Sequence, residues 1–350
     1  MKDFNTLKLN GKIWSKEDLQ SYVHSMELKE DYLLEFWGML GQLIDDKSYI
    51  EVQSSGSTGE PKLIRIEKNK LLASAKMTCR YFELSEKHTA LLCLSTKHIG
   101  GLMMLVRAFY SGMNLIVQKA SANPLLTTEE SIDFVAMVPY QVQTCLLQNP
   151  EKLKRIKTVL IGGGAIQKQL EDALVKHNIR AFSSFGMTES ISHFAVREIG
   201  KQEYYQCLEH IEIELSARGT LILKAPTLLD EKLETNDLIE LKGKDKFKWL
   251  GRSDFAIESG GLKMHPEQIE RKLESAFKER IIISSLPSIS LNNELVLVVE
   301  GEKREIKEEA FSELKNYERP KRIFFIEKFP ETNTKINRLK TREMLLKKMH

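Results

Sequence analysis

The chain has 350 residues, 42% of them hydrophobic, which is enough for two or more domains with packed cores. Lys and Arg total 52 against 49 Asp and Glu, and the net charge of +3 argues against a nucleic acid or an anionic membrane as partner. A polar N-terminus and no stretch of about 20 apolar residues predict a cytoplasmic protein without a membrane span. The four cysteines are widely spaced, so the sequence indicates neither a zinc site nor a disulfide framework.

Apolar residues spaced three and four apart predict helical structure over residues 14–45. Two short strands, 49–52 and 63–66, then predict a hairpin around a polar loop. Beyond it, strands and helices alternate, which is typical of an α/β fold with parallel strands. The predicted helices are 68–82, 102–110, 140–147 and 168–176, and the predicted strands are 90–94, 114–117, 134–138, 158–161 and 180–183.

Short alternating strands over 209–249 predict a small antiparallel β subdomain. The pattern changes near Gly251, and a helix at 266–277 and a strand at 295–299 follow. We therefore expect an α/β fold with two domains. Residues 1–251 would form a large domain of parallel α/β sheet plus the β subdomain, and residues 252–350 a smaller, mobile α+β domain.

The loop of the predicted hairpin is rich in small, hydroxylated and cationic residues, which suits an anion such as a triphosphate. A flexible polar turn is the simpler alternative. The spacing excludes a P-loop NTPase, whose lysine directly follows the second glycine at the start of a helix. The candidate phosphate ligands are Ser54, Ser55, Gly56, Ser57, Thr58, Gly59 and Lys62.

Two further segments follow predicted strands. Gly162, Gly163 and Gly164 end the strand 158–161, where a crevice on an open α/β sheet admits a flat ring. Taken alone, a tight strand-to-helix turn is the better explanation of these glycines. The segment Phe185–Glu189 offers an aromatic ring for a base, Gly186 for close approach, the Thr188 hydroxyl for phosphate and the Glu189 carboxylate for Mg²⁺. A polar loop with a core Phe is the alternative.

These segments together resemble the adenylate-forming superfamily, which includes acyl-CoA and aryl-CoA synthetases. The loop 54–62 is similar to its phosphate motif, and Phe185–Glu189 to its aromatic-Gly-x-Thr-Glu motif. Thr235–Leu238 resembles a motif in which the acid, here Asp237, binds the ribose hydroxyls; Asn236 replaces a glycine at what we expect to be a turn. The resemblance implies ATP and Mg²⁺ as cofactors and CoA as co-substrate.

The remaining matches lie in the C-terminal part. Segment 251–270 resembles the family hinge, which implies that Arg252 binds ribose, Asp254 is the pivot, and Gly260 and Gly261 border a pantetheine tunnel. Segment 330–338 resembles the motif of the catalytic lysine, here Lys335, with Thr334 where glycine is usual. The resemblance implies that Lys335 serves adenylate formation and then withdraws as the C-terminal domain rotates.

Segments 97–102 and 188–193 resemble those of o-succinylbenzoate:CoA ligases of menaquinone biosynthesis, and imply that His98 is a wall or gate of the acid pocket. Residue 54 is an early position for the first phosphate motif, so we expect a pared-down N-terminal domain. The expected activity is ATP-dependent ligation of a small carboxylic acid, o-succinylbenzoate, to CoA.

Other acids, and an acyl-AMP ligase with a carrier or amine acceptor, remain alternatives, and homodimer formation is left open. A non-catalytic nucleotide-binding regulatory module is the alternative of a different class. The retention of Lys62, Glu189, Asp237, Arg252 and Lys335 argues against it.

Overall fold

The computed structural model of the chain describes residues 3–25, 31–53, 63–288, 290–332 and 335–347. Within these ranges one mixed sheet of thirteen strands organises the first 252 residues, beside a separate two-stranded hairpin. The strands of this part are β1 Thr6–Leu9, β2 Lys12–Ser15, β3 Tyr49–Gln53, β4 Leu63–Glu67, β5 Thr89–Leu92, β6 Asn114–Val117, β7 Phe134–Met137, β8 Thr158–Ile161, β9 Ala181–Met187, β10 Ser192–Glu198, β11 Tyr205–Cys207, β12 Glu212–Leu215, β13 Thr220–Lys224, β14 Leu233–Lys242 and β15 Lys246–Arg252.

Helices cover both faces of the sheet's parallel centre, whose strand order is β6-β5-β7-β8-β9. Buried side chains of α2, α3 and α4 pack on one face, and those of α5, α6 and α7 on the other. The predicted α/β alternation is therefore confirmed. The helices are α1 Lys16–Ser25, α2 Asp31–Ile44, α3 Lys68–Tyr81, α4 Ile99–Ser111, α5 Pro139–Gln148, α6 Pro150–Arg155 and α7 Lys168–Lys176.

The antiparallel strands predicted over 209–249 are confirmed, and they extend the same sheet instead of forming a separate one. From β9 the order continues β10-β11-β15-β14-β13-β12, with antiparallel pairing throughout. At the opposite edge β1 pairs parallel to β6 and antiparallel to β2. The sheet thus connects the α/β centre directly to the strands that carry Asp237 and Arg252.

The connections of two neighbouring parallel strands diverge to opposite faces of the sheet, which is where a ligand crevice is expected. Strand β5 is followed by α4 on one face, and its neighbour β7 by α5 on the other. Such a switch point leaves the carboxyl ends of the two strands open, and ligands of doubly wound sheets bind there. The glycines after β8 and the segment at the end of β9 lie along this same edge of the sheet.

The C-terminal part has its own hydrophobic clusters, formed by residues between Ile257 and Leu346, while the other two clusters contain residues 4–247. This division supports the predicted boundary at 251/252, which stays a prediction. In the residues that the structure describes, no helix is long and apolar enough to cross a membrane. The elements of this part are β16 Ile257–Ser259, β17 Leu262–Met264, α8 Pro266–Leu273, β18 Ile281–Ser288, β19 Asn292–Glu300, β20 Arg322–Ile326, β21 Glu331–Thr332, β22 Lys335–Ile336 and α9 Arg338–Lys347.

Candidate active site

The predicted phosphate loop, Ser54–Lys62, lies outside the described residues, as does the side chain of Lys335. The hairpin that carries the loop is confirmed, because β3 and β4 pair antiparallel from Tyr49 opposite Glu67 to Gln53 opposite Leu63. The assignment of phosphate contacts to the loop stays a prediction.

Phe185 and Gly186 lie inside strand β9, so the prediction that they follow the strand, expected at 180–183, is wrong. The strand continues to Met187 because β10 pairs with it along its length, with a bulge between His193 and Ala195. A Cβ atom on Gly186 would lie 2.2 Å from the carbonyl oxygen of Ser192, so the close approach that requires glycine is to the neighbouring strand. The half-buried Phe185 ring contacts the rings of Phe194 and Phe247.

The three glycines after β8 lie at the open edge of the sheet, and Gly163 and Gly164 are exposed. A Cβ atom on Gly162 would come within 2.5 Å of the Ser184 hydroxyl, so a small residue is needed there for strand packing. The exposed glycines leave room for a flat ligand, and their nucleotide contacts stay a prediction.

A tight turn at 188–191 presents the candidate magnesium ligand. Thr188 is buried, whereas Glu189 is exposed at the edge of the sheet. The Ser190 hydroxyl accepts a hydrogen bond from the Met187 amide (3.0 Å). The following residues, Ile191 and Ser192, have φ values of 53° and 83°, which are costly for residues with side chains and for a β-branched residue above all. The surrounding structure must therefore hold this turn.

A buried hydrogen-bond network from α3 and α4 supports the turn. The Ser74 hydroxyl of α3 donates to the Ile191 carbonyl oxygen (2.8 Å), and Thr78 Oγ1 lies 3.3 Å from His193 Nε2. On the other side of the imidazole, Arg107 Nη2 lies 3.3 Å from His193 Nδ1. Since a guanidinium only donates, this contact assigns Nδ1 as acceptor and Nε2 as the protonated nitrogen.

Arg107 is a buried cation, and the sequence analysis did not identify it. It is 1% exposed, and its described hydrogen-bond partners are the Met104 sulfur, Ser192 Oγ and His193 Nδ1, none of which is a carboxylate. Burial lowers the pKa of Arg107 to about 10, which leaves it charged at neutral pH. The sequence signal that could have identified Arg107 is its position as the one charged residue in the otherwise largely apolar run Ile99–Ser111.

Burial, together with the nearby Arg107 charge, holds the pKa of His193 well below its usual value of 6.5. The unfolded chain binds a proton at this residue as the pH falls below about 6.5 and the folded chain does not, so stability is lost on acidification. We expect His193→Gln to reduce that loss by up to about 1.4 kcal/mol per pH unit. Urea unfolding between pH 7.5 and 5 measures the slope. The partly exposed His177, changed to Gln, is the control, and identical slopes for all three proteins would contradict the assignment.

Asp237 and Arg252 lie opposite each other on β14 and β15. Asp237 is 6% exposed, and its carboxylate accepts a hydrogen bond from Trp249 Nε1 (2.9 Å) and lies 4.0 Å from Arg252 Nη1. Burial raises the pKa of Asp237, and the hydrogen bond from Trp249 opposes that rise. The guanidinium of Arg252 also forms a two-pronged pair with Asp254, at 2.9 and 2.7 Å. One cation thus joins the two acids.

Asn236 lies within strand β14, so the prediction that it occupies a turn is wrong. The pairing of β14 with β13 shifts between Thr220 and Ile222, and this irregularity accommodates the extra residues around Asn236. Asn236 is exposed while its neighbours Thr235 and Asp237 are buried. This alternation, together with the pairing of β14 with β15, turns the acid toward Trp249 and Arg252.

The remaining C-terminal candidates are spread over two hairpins. Gly260 and Gly261 form the exposed turn between β16 and β17, both with positive φ. Lys335 begins β22, which pairs with β21. Asp254 is in a single 3₁₀ turn directly after β15, a position that suits the predicted pivot.

His98 is exposed and immediately precedes α4, so it lies at the N-terminal end of a helix. The preceding residues are held by Glu35 of α2, which accepts hydrogen bonds from the Ser95 hydroxyl and the Lys97 amide (3.2 Å). A cavity of about 360 Å³ opens beside them, between α2 and the carboxyl ends of β5 and β6. The residues that line this cavity include Lys97 but not His98, so the assignment of His98 to a pocket wall stays a prediction.

The fold is a doubly wound α/β sheet extended by antiparallel strands, a class in which ligands bind at the carboxyl ends of the parallel strands. A model of the AMP-binding enzyme family matches residues 50–213. An acyl-CoA synthetase (AMP-forming)/AMP-acid ligase II-like protein from Dyadobacter fermentans is 31% identical, and its solved structure superposes with a TM-score of 0.63 over 94% of this chain and 98% of that one. The chain belongs to the AMP-binding enzyme family.

Two further relatives carry more specific names. The 2-succinylbenzoate–CoA ligase of Haemophilus influenzae is 31% identical over 240 residues, which are 62% of this chain and 51% of that protein. The chain thus spans about half the length of this relative. The o-succinylbenzoate CoA synthetase of Bacillus subtilis, solved in complex with its acyl-adenylate intermediate, is 20% identical, with a TM-score of 0.75 over 83% of this chain and 68% of that one. The second likeness shows the fold alone.

Proposed function

We propose that the chain is an AMP-forming ligase that joins o-succinylbenzoate to CoA through an acyl-adenylate. Family membership, and the name and 31% identity of the Haemophilus relative, support ligation of an acid to CoA. The switch point at the carboxyl ends of β5 and β7, with the Asp237–Arg252 pair on strands β14 and β15 of the same sheet, supports binding of ATP.

The observation that carries the choice of acid is the buried guanidinium of Arg107. A buried charge is costly unless an opposite charge compensates it, and among the described residues none of its hydrogen-bond partners is a carboxylate. Its contacts, Ser192 and His193, directly follow the turn that presents Glu189. o-Succinylbenzoate is a dicarboxylic acid, and one carboxylate stays free when the other is activated. We assign this free carboxylate to Arg107.

The reaction has two steps. An oxygen of the acid attacks the α-phosphorus of ATP and pyrophosphate leaves; the thiolate of CoA then attacks the acyl carbon and AMP leaves. In the first step negative charge increases on the phosphate oxygens, and loop 54–62 and Lys335 would stabilise it. Asp237 would accept hydrogen bonds from the ribose hydroxyls. The four cysteines are buried, and this mechanism needs no protein nucleophile.

A magnesium ion fits the residues at the proposed site. Mg²⁺ is usually held by one or two carboxylates together with substrate phosphates and water, and Glu189 is exposed at the edge of the crevice. Within the described part of the chain no cluster of three metal-binding side chains exists, which agrees with a site completed by ATP. The ion would supply positive charge to the phosphates.

Glu189→Gln should raise the Mg²⁺ concentration for half-maximal activity by about tenfold or more, because the ligand loses its charge but keeps its shape. Initial rates across a magnesium titration at fixed ATP measure this. Glu212→Gln, an exposed change on β12, is the control. A magnesium dependence equal to that of the unchanged protein would remove Glu189 from the metal site.

The function itself is tested by pyrophosphate release over a panel of acids, with and without CoA. We expect turnover of o-succinylbenzoate to exceed that of benzoate and of fatty acids, with a thioester formed when CoA is present. Turnover of another acid instead would contradict o-succinylbenzoate as the substrate but would still support an AMP-forming ligase. Adenylate without thioester would favour an acyl-AMP ligase, and ATP binding without turnover of any acid would favour the regulatory module.

We also propose that the protein is cytoplasmic and works on small molecules. The near-neutral charge of +3 supports the absence of a nucleic-acid partner. Cell fractionation tests the location, and light scattering on the purified protein tests for a homodimer.

A further inference from the structure

A two-pronged ion pair joins α8 to the start of α9. Arg338 Nη1 donates to Glu270 Oε1 (2.7 Å), and Nη2 donates to Oε2. Both side chains are largely buried, at 19% and 12% exposed. Glu270 Oε1 also accepts a hydrogen bond from the Ile283 amide of β18 (2.6 Å). One carboxylate therefore fixes α8, β18 and the first residue of α9 to one another.

Arg338 lies close in sequence to β22, the strand that begins with Lys335. On its other side the β21–β22 hairpin is held by Arg280, whose guanidinium bridges Glu300 and Glu331 (Nη1 to Glu331 Oε1, 2.6 Å). The amide of Asn337 donates to the Pro330 carbonyl oxygen (2.7 Å) and closes the base of the hairpin. The hairpin is thus fixed at both ends, by Arg280 and by Arg338.

Helix α8 in turn contacts the predicted hinge. The Glu267 carboxylate lies against Gly251, where a Cβ atom would be 3.0 Å from Glu267 Oε2. The Phe255 ring lies between the Arg252 and Arg338 guanidinium carbons, at 5.8 and 5.4 Å from its centroid. Contacts of α8 therefore extend from the hinge strand β15 to the base of the Lys335 hairpin.

We propose that Glu270 and Arg338 are positioning residues for Lys335. Their pair ties the β21–β22 hairpin to α8, so that closure at the hinge brings Lys335 to the adenylate site in one defined place. This inference rests on the proposed function and on the assigned role of Lys335. Misplacement of a catalytic group by about 1 Å can cost about 100-fold in rate, so loss of the Glu270–Arg338 pair should slow the reaction although neither residue touches substrate. The pair should affect adenylate formation alone.

The test uses the full chain with Arg338→Met and the conservative Arg338→Lys. In single-turnover assays we expect Arg338→Met to slow adenylate formation by about 10- to 100-fold and thioester formation from pre-made adenylate by no more than about threefold. Arg338→Lys should be intermediate, because a lysine keeps the charge but makes one contact where arginine makes two. Hydrogen exchange of the amides at 335–337 should quicken by at least about tenfold in Arg338→Met.

Arg342→Met is the matched control, since Arg342 lies on α9, donates to the Ser285 carbonyl oxygen (3.0 Å) and is farther from the hairpin in sequence. It should leave the ratio of the two half-reaction rates unchanged. Equal losses in both steps for Arg338→Met, or an unchanged adenylation rate, would overturn the inference. If the protein without substitutions activates no acid, the proposed function fails. The role of the Glu270–Arg338 pair is then tested by hydrogen exchange alone, and equal exchange at 335–337 in Arg338→Met and in the protein without substitutions would overturn it.

Discussion

Lys335→Ala is expected to slow adenylate formation by about 10²–10³, the effect of removing one preorganised donor from a charged transition state. Thioester formation from a pre-made adenylate should fall much less, because the predicted rotation at Asp254 withdraws Lys335 before CoA reacts. Single-turnover assays of the two half-reactions, started from ATP plus acid and from synthetic adenylate plus CoA, separate these effects.

Lys340→Ala is the control for general loss of positive charge near the C-terminus, since Lys340 is exposed and near Lys335 in sequence. It should leave both steps within about twofold of the unchanged protein. Equal slowing of the two steps by Lys335→Ala would mean that Lys335 stays in the site throughout, and domain rotation would lose its support. No effect on either step would make Lys335 an ordinary surface cation.

The sequence predicts the centre of the fold well because its signals there are local. Strands 114–117 and 158–161 and helix 168–176 match the structure to the residue, since each is a short apolar or amphipathic run between polar turns. The helical region 14–45 is confirmed as two helices with undescribed residues between them. Strands β1 and β2 were missed, because four-residue strands with interleaved lysines carry almost no pattern of their own.

The errors share one physical cause, which is that contacts with other elements, and not the local residue pattern, decide these positions. Phe185 and Gly186 belong to a strand only because β10 returns beside them, and Asn236 is in a strand because β13 and β15 flank it. The sequence analysis placed Phe185 and Gly186 after a strand and Asn236 at a turn, and both placements are wrong. Arg107 was missed for the same reason, since its neighbours Ser192 and His193 are some 85 residues away in sequence.

Arg107→Met should separate activity from stability. We expect kcat/KM for o-succinylbenzoate to fall by about 10²-fold, the effect of removing a buried charged partner from a carboxylate. The free energy of unfolding without substrate should stay within about 1 kcal/mol of the unchanged protein, because removal of a buried charge offsets the lost contacts to Ser192 and His193. Urea unfolding and initial-rate kinetics measure the two quantities.

Arg197→Met supplies the contrasting control, because Arg197 is also largely buried but pairs with Glu171. Its loss leaves a carboxylate uncompensated and should lower the free energy of unfolding by about 2–3 kcal/mol.

The substrate control is a pair of monocarboxylic analogues, each lacking one carboxylate of o-succinylbenzoate. One analogue keeps only the carboxylate that is activated. Arg107→Met should change kcat/KM for this analogue by no more than about threefold, since it has no second carboxylate to bind Arg107. Arg107→Met could instead destabilise the protein as Arg197→Met does and lower activity equally on all acids. Arg107 would then be a structural residue, and the choice of a dicarboxylic substrate would lose its main support.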